Sequence, residues 1–201
     1  MKYQNFISVD LQRDFTDQGG GAYKPRPAVD FITTTLIPYF QKNSLKTAEI
    51  ISDYRLPRLG DRRALCAPGS CGYESILPDN IKKQPIWIKC MNSPIWVRDN
   101  IGNATGQPGI PYQDGPKFQL WLDQMVGPMN KMLEVILFGL TSDCCVLSTA
   151  QELSWRGYKI LILKEAVDNA SGDQKEKDMI LNNPPLKNWA SIISWNDIIN
   201  S

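Results

Sequence analysis

The feature that most constrains the fold is an alternation of short apolar runs with segments of helical periodicity. Strands that alternate with helices favour right-handed crossovers and a mainly parallel sheet with helices on both faces. The sequence therefore predicts a three-layer α/β/α fold with a six-stranded sheet. The predicted strands are residues 3–10, 47–54, 84–90, 133–140, 158–168 and 189–195, and the predicted helices are 28–43, 117–126 and 143–157.

Length and charge limit the classes of protein that fit this chain. Its 201 residues suit one α/β domain, 1–201, and no repeat or linker interrupts them. Lys plus Arg is 22 and Asp plus Glu is 21, so the net charge of +1 gives no electrostatic reason to expect nucleic acid or an anionic membrane as partner. No apolar run approaches the roughly 18 residues of a membrane span. The stretch MKYQNFISVD turns acidic before any signal-peptide core develops, so we expect a cytoplasmic protein.

The chain contains no histidine, which restricts the chemistry available to it. A Ser-His-Asp triad and a histidine-bound catalytic metal are both excluded. The five cysteines are odd in number and show no C-x-x-C spacing, which indicates reduced thiols and argues against zinc. A hydrolase built from this sequence must take its base from a carboxylate, a lysine or a thiolate, and we expect no metal and no cofactor.

Candidate reactive residues lie where the predicted strands end. In an open parallel sheet, sites form beyond the carboxyl ends of the strands. Asp10, Asp53, Lys89 and the turn before Cys145 all occupy such positions. Taken singly, a turn-forming aspartate or a lysine that reaches to solvent is the commoner role for these residue types. Together they supply a base, a cation and a nucleophile without histidine.

The stretch FGLTSDCCVLSTAQ, residues 138–151, places two cysteines where a strand enters a helix. Ser142 or Asp143 is the expected N-cap, which puts Cys144 and Cys145 in the first turn. There the helix dipole and free N–H groups favour a thiolate and can hold an oxyanion. Adjacent helical residues point about 100° apart, so only one thiol can face the strand ends. Two buried, chemically inert cysteines are the alternative.

Four segments carry a resemblance to a known family: VDLQRDF (9–15), APGSCGYESILP (67–78), IWIKCMNSPIW (86–96) and FGLTSDCCVLSTAQELSWRGYKILILKEAVD (138–168). They resemble the motifs of the isochorismatase-like cysteine hydrolases, which include nicotinamidases, N-carbamoylsarcosine amidases, ureidoacrylate-type amidohydrolases and isochorismatases. The resemblance extends over nearly the whole chain.

The resemblance implies a Rossmann-like single domain and a mechanism. It implies that Cys145, the cysteine before valine, is the nucleophile, that Asp10 moves protons and that Lys89 is the third catalytic member. It implies a cis peptide near Leu140–Thr141 that aims a backbone N–H at an oxyanion. The implied reaction cleaves a C–N bond of a small amide, ureido or carbamoyl substrate through a thioester, without a cofactor. A homo-oligomer, dimer or tetramer, is also implied.

The sequence departs from the family pattern in two places. Family nicotinamidases hold a metal through an aspartate, which Asp53 matches, and histidines, one of which Arg55 replaces, so a metal is not expected. The interval from Lys89 to Cys145 is longer than usual, which places an extra loop, residues 97–116, at the mouth of the site or at a subunit contact.

Substrate-binding residues are predicted from residue type alone. Phe15, Tyr54 and Trp96 are candidates for an apolar wall. Arg55 and its neighbours Arg58, Arg62 and Arg63, with Arg98, are candidates to pair with a substrate carboxylate, or are simply solvated.

Two other functions remain open at this stage. An isochorismatase-type enzyme would cleave a vinyl ether with Asp10 and would not need the thiol. A non-catalytic member of the fold would bind a ligand without turnover. A catalytic Cys145 is expected to alkylate near neutral pH much faster than Cys66, Cys71 or Cys90.

Overall fold

The central feature of the computed structural model, which describes residues 5–129 and 133–200, is a six-stranded parallel sheet. Its strand order is β3-β2-β1-β6-β7-β8, and every pair is parallel. The prediction of a six-stranded sheet is confirmed, although residues 3 and 4 of the first predicted strand lie outside the described residues. The strands are β1 (Phe6–Val9), β2 (Ala48–Ser52), β3 (Trp87–Lys89), β6 (Glu134–Leu140), β7 (Lys159–Asp168) and β8 (Ala190–Ile193).

The strand order by itself indicates where a ligand-binding site lies. The chain builds outward from β1 through β2 to β3, and then returns to the other side of β1 with β6. The order of strands therefore reverses between β1 and β6. Parallel sheets bind ligands at such a reversal, in the crevice outside the carboxyl ends of the strands. Asp10 follows β1 and Cys145 follows β6 by a short turn, so both residues lie at this crevice.

Helices cover both faces of the sheet, as a period-two pattern of buried residues requires. Along β6, Val135 and Leu137 face one apolar cluster with α4 and α5, while Ile136 and Phe138 face the other with the first long helix. Within the described residues, no helix has the length and apolar character needed to cross a bilayer. The helices are α1 (Arg13–Thr16), α2 (Pro27–Phe31) continuing through a π-helical turn (Ile32–Leu36) into α3 (Ile37–Lys42), α4 (Gly115–Met125), α5 (Cys145–Trp155), α6 (Gln174–Asn182) and α7 (Trp195–Ile199).

Several elements were not predicted from sequence. Helix α6 is a polar segment whose N-terminus is capped by Asp173, and α7 begins with a capping box between Ser194 and Asp197. The region 97–116, predicted as a loop, contains β5 (Tyr112–Gln113) and the second residue of β4 (Trp96–Val97), which together form an antiparallel ribbon. Short, polar or two-residue elements carry too little hydrophobic periodicity to be recognised in a sequence.

Gly139 allows β1 and β6 to approach each other next to the crevice. Its φ is +117°, and a Cβ built on it would lie 2.1 Å from the carbonyl oxygen of Val9. A side chain cannot be accommodated there without separating the two strands. The glycine of the FGLTS segment therefore helps to hold the ends of β1 and β6 together, and with them the residues that follow.

Candidate active site

Three strand ends bring Asp10, Lys89 and Cys145 to one buried position. The Nζ atom of Lys89 donates to Oδ2 of Asp10 over 2.8 Å, although 79 residues separate them in sequence. Lys89 is 0% exposed, Asp10 is 1% exposed and Cys145 is 6% exposed. Asp10 has a φ of +50°, a left-handed conformation that aspartate tolerates better than most residues. The structure thus places together the base, cation and thiol predicted from the strand ends.

Tyr54 connects the ammonium group to the thiol. Its hydroxyl accepts a hydrogen bond from Nζ of Lys89 over 2.6 Å and lies 3.1 Å from Sγ of Cys145. Sequence reasoning placed Tyr54 only in an apolar wall, so this polar contact was missed. The sequence pattern that could have predicted this contact is the alternation of side chains at the end of β2. Ser52 and Tyr54 point to one side and Asp53 to the other.

Ser52, which the sequence did not single out, completes the environment of Lys89. Its Oγ accepts from Lys89 Nζ over 2.8 Å and donates to Oδ1 of Asp10 over 2.8 Å. Lys89 therefore uses its three N–H donors on Asp10, Ser52 and Tyr54. Gln12, buried in the Asp-x-Gln motif, fixes Ser52 in place, because its side-chain amide bonds both the N–H and the C=O of Ser52.

Burial determines the resting protonation states of the site. It raises the pKa of the Cys145 thiol to about 12, and the nearby charge of Asp10 adds to the effect more than Lys89 opposes it. A helix N-terminus favours an anion by about 0.3–1 kcal/mol, less than one pKa unit, whereas full burial shifts a pKa by several units. Desolvation therefore overrides the helix dipole, and the resting sulfur is a neutral thiol that needs a base when it reacts.

Lys89 and Tyr54 also hold their protons in the resting site. Burial alone would lower the pKa of Lys89, but Asp10 and Cys145 outweigh it and the net shift is upward, so the amine stays cationic. Burial raises the pKa of Tyr54 well above its ordinary value, and the neighbouring Cys145 raises it further. The resting site therefore combines an ammonium group, a phenol and a thiol.

The turn before Cys145 differs in one respect from the sequence prediction. The Leu140–Thr141 peptide is cis, as the resemblance implied. The N-cap of α5 is Cys144, however, so the prediction of Ser142 or Asp143 as N-cap is wrong. The Asp143 carboxylate instead accepts from the backbone N–H of Ala170, on the turn that follows β7. Tertiary contact with that turn has replaced the local capping interaction.

A cavity of about 520 Å³ opens onto these residues, a size suited to a small molecule. Phe15 and Tyr54 lie in its wall with their rings edge to face, and Leu140, Thr141 and both vicinal cysteines also line it. Cys144 is therefore a half-buried lining residue. Asn92, not singled out from sequence, lies here too, with its Oδ1 3.7 Å from Sγ of Cys145.

Two residues predicted to bind substrate, Trp96 and Arg55, lie away from this cavity. Trp96 belongs to the β4–β5 ribbon and is not one of the described residues that line the cavity. Arg55 also faces away, and all five of its N–H donors are bonded within the protein. They bind the Asp53 carboxylate through Nε and Nη2, and the carbonyl oxygens of Asn100, Asn103 and Gly106.

The same contacts decide whether the metal of the family nicotinamidases suits this chain. Both oxygens of Asp53 accept from Arg55, and the backbone N–H of Gly102 takes a further position on Oδ2. No cluster of three or more His, Cys, Asp or Glu side chains that could hold a metal occurs in the described ranges. The residues present do not fit a metal at this position, because a guanidinium already neutralises the carboxylate. The cation also fastens the loop 97–116 to the end of β2, and the described residues of that loop do not line the cavity.

The thiols are expected to alkylate in an order that reverses the sequence expectation. Cys71 is exposed, whereas Cys145 is buried with its pKa raised to about 12. Because the thiolate is the reacting species, we expect iodoacetamide at pH 7.5 to modify Cys71 roughly 10²- to 10³-fold faster than Cys145. Time-resolved peptide mass spectrometry measures both rates, and Cys71→Ser should remove the fast phase. Equal rates at the two cysteines would show an ionised, accessible Cys145 and contradict this electrostatic description.

Several proteins of known structure are similar to this chain over nearly its whole length. The crystal structure of nicotinamidase PncA from Bacillus subtilis aligns over 96% of this chain and 99% of its own, with a TM-score of 0.63 and 20% identity. An isochorismatase-like hydrolase from Alkaliphilus metalliredigens aligns over 98% of both chains, with a TM-score of 0.67 and 17% identity. A pyrazinamidase of Pyrococcus horikoshii, solved in complex with zinc, gives a TM-score of 0.64 at 18% identity, over 96% of this chain and 99% of its own.

No family model matches the sequence, and no curated protein sequence matches it. The structural likeness covers almost the entire chain and shows the fold, which is that of the isochorismatase-like hydrolases and nicotinamidases. The fold that the sequence motifs implied is therefore confirmed. At these identities the activity has to be argued from the site itself.

Proposed function

We propose that the protein is a cysteine hydrolase of the isochorismatase-like type that cleaves a C–N bond in a small amide, ureido or carbamoyl compound. One observation carries the proposal: Asp10, Lys89, Tyr54 and Cys145 form a continuous buried set of contacts at the wall of a cavity of small-molecule size. The set supplies a proton acceptor, a fixed positive charge and a nucleophile. Amide hydrolases of known structure with the same fold are consistent with this use.

The first half of the proposed reaction forms a thioester. Asp10 accepts the proton of the Cys145 thiol as the sulfur attacks the substrate carbonyl carbon, so the thiolate exists only while it reacts. Lys89 keeps its charge, which stabilises the Asp10 carboxylate before the proton moves and the sulfur anion as it forms. The Tyr54 hydroxyl donates to the developing sulfur anion. Asp10 then gives the proton to the leaving nitrogen, the C–N bond breaks, and ammonia or an amine departs.

The tetrahedral oxyanion needs N–H donors near the sulfur. The backbone bonds of this turn use the N–H groups of Ser142, Cys144 and Val146. Those of Thr141 and Cys145 have no acceptor within the described part of the chain, which supports their use as the oxyanion donors.

The second half of the reaction consumes water. Asp10 removes a proton from a water molecule, the resulting hydroxide attacks the thioester carbonyl, and the C–S bond breaks. The sulfur recovers its proton and the product leaves as a carboxylic acid or carbamate. No step needs a metal or a cofactor.

Trapping the acyl-enzyme tests this function. A panel of small primary amides and ureido compounds is assayed for ammonia release, and the reaction with the best substrate is quenched in acid. We expect intact mass spectrometry to show an acyl adduct that maps to the Cys145 peptide, and hydroxylamine to divert product to the hydroxamate. Turnover of a vinyl ether without an adduct would favour isochorismatase-type chemistry instead, and absence of any turnover would favour a binding protein.

The setting of the enzyme is part of the proposal. The five free thiols support a reducing compartment, and we place the protein in the cytoplasm. A small molecule is its proposed partner, and the near-zero net charge supports neither nucleic acid nor an anionic membrane. Assembly into a dimer or tetramer and the single domain 1–201 remain predictions.

A further inference from the structure

Arg58 is a cavity-lining side chain that the proposed mechanism does not use. Its guanidinium carbon lies 3.6 Å from the centroid of the Tyr54 ring, in a cation–π stack. The side chain is only 10% exposed, and its buried Nε atom has no hydrogen-bond partner. One Nη atom pairs with the Asp61 carboxylate at 2.5 Å. Arginine has five N–H donors and the pair with Asp61 uses only one Nη atom, so donors remain for a further acceptor in the cavity that this side chain lines.

Charge in the cavity points to the sign of that acceptor. Within the described residues, four basic and two acidic side chains line it: Lys24, Arg26, Arg58 and Arg63, with Asp10 and Asp61.

Two of these groups are already committed to other contacts. Arg26 donates to the carbonyl oxygens of Phe15, Asn169 and Ala170, and Asp10 is neutralised by Lys89. Three cations, Lys24, Arg58 and Arg63, remain against the one carboxylate of Asp61, which pairs with Arg58, and Arg58 is also held in place by stacking on the Tyr54 ring. A positive cavity wall with a preorganised guanidinium suits an anionic ligand, and a carboxylate matches its planar fork.

We propose that Arg58 anchors a carboxylate of the substrate, so that the enzyme acts on amides that carry an acid group. This inference rests on the proposed function and names its substrate class. The Tyr54 ring joins the two ends of the site, since Arg58 stacks on its face and its hydroxyl contacts the Cys145 sulfur. The anchor and the nucleophile therefore hold one substrate between them.

The same ring limits the length of the substrate. A phenol measures only about 3 Å from centroid to oxygen, so the guanidinium carbon lies within about 10 Å of the sulfur. Attack needs a carbonyl carbon about 3–3.5 Å from sulfur, and a carboxylate oxygen lies about 2.8 Å from a guanidinium nitrogen. In a straight line these distances leave room for about one atom between the two groups, and a bent arrangement admits about two or three. The half-amides of malonic, succinic and glutaric acid meet this limit.

Kinetics on matched amides tests the anchor. Succinamate and butanamide differ mainly in the charged end, so we compare kcat and KM for both with wild type and Arg58→Gln. We expect Arg58→Gln to lower kcat/KM for succinamate roughly 10- to 100-fold, chiefly through KM, and to change that for butanamide less than about twofold. Arg58→Lys keeps the charge without the fork and should fall between wild type and Arg58→Gln. Arg62→Gln, an exposed change in the same loop that does not line the cavity, is the control and should match wild type.

Binding separates this proposal from the proposed function. Calorimetric titration of succinamate into Cys145→Ala and into Cys145→Ala/Arg58→Gln measures the anchor without turnover. Binding that depends on Arg58, combined with no hydrolysis by wild type, would refute the hydrolase and keep the anchor. Equal losses for succinamate and butanamide in Arg58→Gln, or a wild-type preference for the neutral amide, would overturn the anchor while leaving the hydrolase intact.

Discussion

Replacing the Cys145 thiol by a hydroxyl in Cys145→Ser is expected to lower kcat/KM for the best amide substrate by at least about 10³-fold. A serine hydroxyl is far less acidic than a thiol, and burial has already raised the pKa of the thiol itself to about 12. Carboxylates in general are far weaker bases than alkoxides, so a carboxylate that can assist a thiol as it reacts does not activate an alcohol in the same place. Oxygen is close to sulfur in size, so the fold should remain, as circular dichroism and thermal unfolding will show.

The neighbouring cysteine provides the matched control for this loss. Cys144→Ser makes the same chemical change one residue earlier, at a half-buried position on the cavity wall. Cys144 lacks the contact with Tyr54, and we therefore expect this variant to keep at least about a tenth of wild-type kcat/KM. A larger loss in Cys144→Ser than in Cys145→Ser would show that Cys144, and not Cys145, is the nucleophile. Cys145→Ser that hydrolyses amides at the wild-type rate would refute the thioester mechanism altogether.

Lys89→Met is expected to destabilise the protein by about 3–5 kcal/mol, the largest effect on stability that we predict. The substitution keeps an unbranched side chain but removes the charge that compensates Asp10, which is 1% exposed. An uncompensated carboxylate in that position either stays charged at high cost or takes up a proton. The hydroxyl groups of Ser52 and Tyr54 also lose their shared donor. Urea unfolding followed by tryptophan fluorescence measures the change in unfolding free energy.

Two variants show whether the charge pair causes this loss. In Lys89→Met/Asp10→Asn both charges are absent, and we expect the double variant to recover part of the stability lost in Lys89→Met while staying inactive. Lys159→Met alters an ion pair with Glu134 in which the lysine is about half exposed, and it should cost no more than about 1 kcal/mol. A loss below about 1 kcal/mol in Lys89→Met would mean that water reaches the pair.

Cys145→Ser is expected to affect mainly activity and Lys89→Met mainly stability, and this difference reflects how the site is built. A buried ion pair contributes little net stability compared with well-packed apolar residues, because both ions are removed from water. In the proposed mechanism its value lies in holding a proton acceptor near the thiol inside a low-dielectric wall, where electrostatic interactions are strong. Ser52 and Gln12 add hydrogen bonds that keep the pair in one geometry. Under the proposed function, the benefit of this arrangement is chemical more than structural.

The sheet was predictable because its strands are short apolar runs separated by clear helical patterns. All six strands occur where the sequence placed them, with ends shifted by a few residues. Helices α6 and α7 were missed because they are short or polar and depend on local caps at Asp173 and Ser194. The N-cap of α5 was mispredicted because Asp143 finds its partner at Ala170, far along the chain. Local patterns predict elements that local forces dominate.

The sequence by itself determined the inventory of chemistry: no histidine, an acid, a lysine and a thiol at strand ends, and a glycine that permits two strands to close on each other. Only the tertiary structure decided how these groups behave. It placed the Tyr54 hydroxyl against a sulfur 91 residues away, and it committed Arg55 to Asp53 and the loop instead of the cavity. It also kept the Cys145 thiol protonated. Burial and proximity of charge arise from distant segments packing together, and no local pattern of residues contains that information.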